Sequence, residues 1–320
     1  MISFFKAQSN FPFIPNRKKA YIVSLVLLAV SLGSVIIHGG LRLGVDFTGG
    51  TLLQIHFDKP LATDQLRQSL SEEGLAEVEI QKVKDSELIK NAFLIRTGLK
   101  EARKDDEVAT EATSGSKPSL ANKIVAALQK RYPDNKVVVD SDETVGPKIG
   151  RELQWKAFWA VLAGCLLILI YVAFRFDFRF GVAAVAAIFH DVIATVGFIS
   201  VTNMEFNLQS VAVLLTIIGY SINDSIVVAD RIRENIRKSH KDSFAELANR
   251  SVNETLSRTV ITVLTVLLVL LSLQFLAGRV LADFTKPLLF GLVVGTYSSI
   301  FIVASLVVDW EIRSPTKRKK

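Results

Sequence analysis

The chain is almost without cysteine: Cys165 stands alone, so no disulfide can form within it, and any exported part must be held together by packing. Histidine is nearly as scarce, at four residues. His38 and His56 are isolated, with no Cys/His spacing around them that would hold a metal, and read as surface or structural residues. No GxxxxGK[ST] segment is present, which excludes the usual phosphate loop of an ATPase. No nucleophile motif and no cofactor-binding pattern occur either, so an enzyme is not expected. The first apolar segment, Ala20 to Ile37, runs into His38-Gly39-Gly40 without a small-x-small cleavage site and reads as retained.

What the chain has in abundance is apolar sequence. Half of its 320 residues are hydrophobic, and several runs reach about 20 residues, the length that crosses a bilayer. Backbone groups in lipid must bond internally, so each run is a helix. Six qualify: Lys19–Ile37, Leu153–Phe174, Phe180–Val201, Leu208–Ala229, Arg258–Leu276 and Phe284–Val308. The net charge of +7 does not point to nucleic acid, because the basic residues collect beside these spans. Arg17, Lys18 and Lys19 precede the first. Arg175 and Arg179 separate the second from the third. Arg231, Arg233, Arg237, Lys238, Lys241 and Arg250 separate the fourth from the fifth, and Arg313 and Lys317–Lys320 follow the sixth. All fall on one side of a six-span arrangement, whereas the loop Thr202–Asn207 on the other side has neither Lys nor Arg. The positive-inside rule then places both termini in the cytoplasm. The resulting organisation is a cytoplasmic segment 1–18, a first span 19–37, an exported domain 38–150, a five-helix remainder 151–308 with a cytoplasmic segment 230–257, and a basic tail 309–320.

The exported insertion reads as a small α+β domain. Thr51–Phe57, Glu77–Val83, Asn91–Thr97 and Lys136–Asp140 carry strand patterns, the first three by alternation. Thr63–Gly74 reads as a helix with Thr63 as its N-cap, Leu66 and Leu70 on one face and Gly74 at its end. Leu120–Arg131 is a second helix, ended before Pro133. The order βαββαβ predicts a ferredoxin-like sheet with two helices on one face. The polar stretch 98–119 is expected to be a flexible loop.

Ionisable residues inside apolar helices carry the functional signal. A central Asp or Arg costs about 2.5–3.5 kcal/mol on insertion scales and usually marks an ion or proton path. Asp224 lies six residues before Asp230, and so about 9 Å inside the cytoplasmic end of the fourth span. Asp230 reads as an interfacial cap. Arg258 opens the fifth span. The fourth helix runs inward and the fifth outward, so the two residues would pair if their helices are neighbours. In such a pair the removal of water favours the neutral carboxyl, the guanidinium favours the charged one, and the balance sets a proton switch. A static ion pair is the plainer reading. His190-Asp191 in the third span is a possible second relay. Asn223 and the hydroxyls of Ser221, Ser225, Thr259 and Thr262 would satisfy the charges or hold water, or serve simply as helix-packing residues.

Four segments carry a resemblance: LGVDFTGG at 43–50, FRFDFRFGVAAVAAIFHD at 174–191, LLTIIGYSINDSIVVADRIREN at 214–235 and NETLSRTVIT at 253–262. In this order they resemble the SecD/SecF family of the resistance-nodulation-division (RND) superfamily, on its SecF side, over nearly the whole chain. The resemblance implies an RND-type half of six transmembrane helices in the bacterial inner membrane. It implies pairing with SecD into a twelve-span unit, association with the SecYEG channel, YajC and YidC, and unfolded preprotein as the cargo. It also implies use of the proton motive force in late translocation, with the essential intramembrane Asp at Asp224 and the Arg at Arg258. Two alternatives remain at this point: a half of an RND exporter for small molecules or lipids, and a scaffold that moves nothing.

Overall fold

A computed structural model describes residues 10–73, 75, 78–82, 91–97, 120–239, 242–276 and 281–315. Two compact units divide the chain. One comprises Leu43–Phe158 and the other the flanking residues up to Arg42 and from Trp159.

In the first unit four antiparallel strands, β1 Gly50–Phe57, β2 Val78–Lys82, β3 Ala92–Thr97 and β4 Val137–Val145, lie in the order β2-β3-β1-β4. With helices Thr63–Glu72 and Leu120–Arg131 this is the ferredoxin-like arrangement the βαββαβ order predicts. Side chains alternate across a strand, so Leu53, Ile55 and Phe57 of β1 join Phe93 and Ile95 of β3 on one face. Leu66, Leu70, Ile124 and Leu128 of the helices close over them. The expected N-cap at Thr63 is corrected. Ala62 holds that position and has no side chain to cap with, and Gln65 accepts a bond from its backbone N–H instead. The helix ends at Glu72, ahead of Gly74, which lies outside the described residues, as does the expected loop 98–119. β4 continues five residues beyond the predicted strand, to Val145, across a bulge between Gln54 and Ile55 of its partner. His56 is bonded to Asp140 across the sheet at 2.7 Å.

The glycine pair of the first motif has a structural use. Gly49 and Gly50 both have positive φ (74° and 129°), which only glycine adopts freely, and they turn the chain from the short helix Val45–Thr48 into β1. Gly150 backs onto that turn so closely that a Cβ there would lie 2.9 Å from the Phe47 carbonyl oxygen. Gln154 donates to the same carbonyl at 2.7 Å.

Among the described residues six helices are long and apolar enough to cross a membrane. They are Arg17–Ile37, Pro147–Arg175, Phe178–Val201, Leu208–Lys238, Phe244–Leu276 and the sixth, which runs from Ala282 to Arg313 through a π-helical stretch at Ser299–Val303. Most extend past the predicted ends because apolar periodicity marks only the lipid-crossing part. The polar turns beyond it, such as Asp230–Lys238, continue the same helix into the loop. The sixth span is the most enclosed, with 72% of its apolar stretch buried, against 6% for the second and 11% for the fifth. The third, fourth and sixth therefore make the centre of this half-bundle, and the second and fifth its outside.

Small residues let the central helices touch. Gly197 of the third span faces Ser31 of the first. An added Cβ would lie 2.1 Å from the Ser31 Cβ and 2.5 Å from its Cα, so the backbones would have to part. Gly197→Ala is expected to cost about 1–3 kcal/mol, read as a lower thermal midpoint of the purified chain. An unchanged midpoint would show that the contact is loose.

Candidate functional site

The fourth and fifth spans are neighbours, as the pairing of Asp224 with Arg258 requires. Arg231 donates to Glu254 at 2.7 Å, and Asn235 donates to Ser251 at 2.8 Å and to Glu254 at 2.7 Å. These bonds fix the antiparallel register. Asp224 is seven residues before Arg231 and Arg258 four after Glu254, so at 1.5 Å per residue their depths differ by less than about one helical turn.

The two side chains nevertheless do not form the direct ion pair predicted. Asp224 is 3% exposed, and its Oδ2 is buried with no hydrogen-bond partner among the described residues. Arg258 is close enough for its charge to act on that carboxyl, but it is exposed on the outer side of the fifth span. Successive helical residues point about 100° apart. Equal depth on neighbouring helices therefore does not bring two side chains together unless both also face the shared groove. Ser225, next to Asp224, is likewise buried with an unpartnered hydroxyl. Thr259 is buried on the fifth span, and Thr262 returns its hydroxyl to backbone carbonyls of its own helix. Asn223 is exposed on the fourth span, turned away from the buried face that carries Asp224. Asp230, expected as a cap, instead lies inside the fourth helix, eight residues before its end, in an ion pair with Arg175 at 2.7 Å.

The third span provides a second buried polar cluster. Asp191 is 1% exposed and has a partner at each carboxylate oxygen. Its Oδ2 accepts from Ser221 of the fourth span at 2.5 Å and from Ser298 of the sixth at 2.7 Å, and its Oδ1 faces His190 Nδ1 at 2.9 Å. Gly295 lies beside this junction, where an added Cβ would be in ordinary contact with Ser221 and the Asp191 carboxylate. His190 is buried and its Nε2 is unpartnered. Thus Ser221, expected beside Asp224, serves Asp191. Ser298 was not singled out by sequence reasoning. Its only signal is a hydroxyl pair, Ser298-Ser299, within an apolar span, immediately before the π-helical stretch.

The two aspartates therefore differ in kind: Asp191 joins three central helices, whereas Asp224 joins none. Asp191→Ala is expected to destabilise the chain by about 1–3 kcal/mol for each stranded hydroxyl, seen as a marked drop in thermal midpoint. A midpoint equal to that of the unaltered chain would show that the junction contributes nothing.

One motif is also built into the end of the bundle that carries the basic loops. Asn253 of NETLSRTVIT exchanges two bonds with the Phe11 backbone, at 2.8 and 3.0 Å, and Asn249 accepts from the Ile14 N–H. Arg17 pairs with Asp309 of the sixth span at 2.7 Å. The segment preceding the first span is thereby tied to the fifth and sixth.

Comparison with known proteins agrees with this architecture. Residues 124–313 match the family model described as protein export membrane protein SecD/SecF, C-terminal, and residues 34–61 match the SecD/SecF GG motif. The protein translocase subunit SecF of Calditerrivibrio nitroreducens is 42% identical over 315 residues, covering 98% of this chain and 97% of that protein. The protein translocase subunit SecDF of Thermus thermophilus is 42% identical over 307 residues, 95% of this chain and 39% of the longer one. The crystal structure of SecDF from Thermus thermophilus, described as a translocon-associated membrane protein, superposes with a TM-score of 0.80 at 40% identity, covering 97% of this chain and 40% of its own.

Proposed function

The chain belongs to the SecD/SecF family of protein-export membrane proteins, and from that premise we propose that it is the SecF-type half of a proton-driven unit that promotes late preprotein translocation across the bacterial inner membrane. Asp224 is the proton carrier in this reading and Arg258 its counter-charge. The observation that carries it is a carboxyl enclosed in an apolar half-bundle with an oxygen that no group among the described residues satisfies. Such a group costs stability unless it is paired, so its presence calls for a use. The outward-facing Arg258 supports a second half-bundle that covers the fifth span. The Thermus relative, whose name joins SecD and SecF in one chain, makes a separate SecD the natural partner here. SecYEG, YajC, YidC and the unfolded preprotein complete the assembly, with both termini in the cytoplasm. His190 and Asp191 act as a secondary station, beside rather than on the route through Asp224, and Asn223 faces the partner side.

The energy scale is adequate. One charge crossing the full potential releases about 2.3 kcal/mol per 100 mV. Moving a two-state equilibrium from 1:99 to 99:1 takes about 5.5 kcal/mol, within reach of a few protons. The test is export kinetics in cells whose only copy carries Asp224→Asn. Slow processing with the chain still present supports the relay, and normal processing leaves the scaffold reading.

A further inference from the structure

Where the third span begins and the fourth and sixth end, a pocket of about 900 Å³ opens at the end of the bundle that carries the basic loops. Its floor is apolar, with Phe180 and Val307 of the bundle core. Its walls hold three arginines, Arg179, Arg233 and Arg237, against two carboxylates, Asp177 and Glu311. The carboxylates are already engaged. Glu311 pairs closely with Arg179, and Asp177 reaches Arg233 only at 3.7 Å. Arg233 also donates to the Arg175 carbonyl at 3.2 Å and lies over the Phe176 ring. Arg237 is exposed and has no acidic partner among the described residues. One positive charge in the pocket thus has no carboxylate partner among the described residues, beside Arg233, which Asp177 and Asp230 approach only at 3.7 and 4.0 Å.

The rim of the pocket is greasy. Phe178 is 75% exposed and packs edge-on against Trp310 at 5.9 Å, and Ile312, next to the lining residue Glu311, is also exposed. Aromatic side chains at the end of a span mark the membrane interface, and basic pockets between spans on the cytoplasmic side suit anionic lipid headgroups. We propose that this pocket holds the phosphate of an anionic phospholipid between Arg237 and Arg233, with an acyl chain lying on Phe178 and Trp310. A soluble anion would use the arginines but not the exposed rings, and so the lipid is the occupant chosen. The inference rests on the membrane-spanning arrangement and is independent of the proton route.

The experiment is native mass spectrometry of the full-length chain released from neutral detergent containing equal phosphatidylglycerol and phosphatidylcholine. The unaltered chain is expected to retain phosphatidylglycerol preferentially. Arg237→Gln is expected to weaken that retention about fivefold, the effect of one arginine near an anionic headgroup. Arg237 is exposed, so the change should not disturb folding. Arg250→Gln, an exposed arginine at the same end paired with Asp242 at 3.1 Å, should leave retention unchanged. Equal retention by the unaltered chain and Arg237→Gln would overturn the site. Displacement of the lipid by millimolar inorganic phosphate would overturn the choice of a lipid in favour of a soluble anion.

Discussion

Cells relying on the Asp224→Asn chain are expected to process and release a secreted protein as slowly as cells lacking the chain, while the variant accumulates normally. Asparagine keeps the shape of the side chain but cannot take up and release a proton. The structure also indicates why the fold should tolerate it. The buried Oδ2 has no hydrogen-bond partner among the described residues, so no hydrogen bond at that oxygen is lost, and a buried charge without a partner is itself destabilising. The thermal midpoint of Asp224→Asn should equal or exceed that of the unaltered chain, the opposite of the fall expected for Asp191→Ala. The combination of export lost and stability kept separates a working carboxyl from a structural one. Pulse-chase processing with immunoblotting of the membrane fraction reads both. Loss of the protein itself would assign Asp224 to the fold.

Arg258→Ala is expected to have an effect of the same size. A guanidinium exposed on an apolar helix, with no hydrogen bond or ion pair among the described residues, adds to the cost of inserting that helix. Its removal should therefore not hinder insertion. Export should nevertheless fall to the level of cells without the chain, because the counter-charge to the carboxyl is gone. Arg258→Lys keeps the charge but loses the planar fork of donors, and should retain intermediate activity. Wild-type processing from Arg258→Ala at normal abundance would remove Arg258 from the mechanism.

The sequence was most legible where one helix or strand carries its own pattern. Apolar length identifies all six spans, and the βαββαβ order gives the ferredoxin-like sheet with its two helices. It was least legible where the question is which faces meet. The depth of Asp224 and Arg258 follows from residue counting, but their azimuth does not: Asp224 turns inward, while Arg258 and Asn223 turn outward. Ser221 lies three residues from Asp224 and yet bonds to Asp191 on another span. Ser298 closes the same junction from a helix whose sequence gives little hint of it. Thr63 was read as a cap from residue type alone, but the backbone begins the helix one residue earlier and uses Gln65 instead. The cap is a local choice of backbone, but the other misses are tertiary decisions that local periodicity does not encode.

The most direct test of the central claim is proton entry into vesicles containing this chain together with SecD, followed with a pH-sensitive dye enclosed in the lumen after a potential is imposed. Vesicles with the unaltered chain are expected to acidify faster than vesicles lacking it, and vesicles with Asp224→Asn to acidify no faster than the empty ones. Equal proton entry with and without the Asp224 carboxyl would contradict the account.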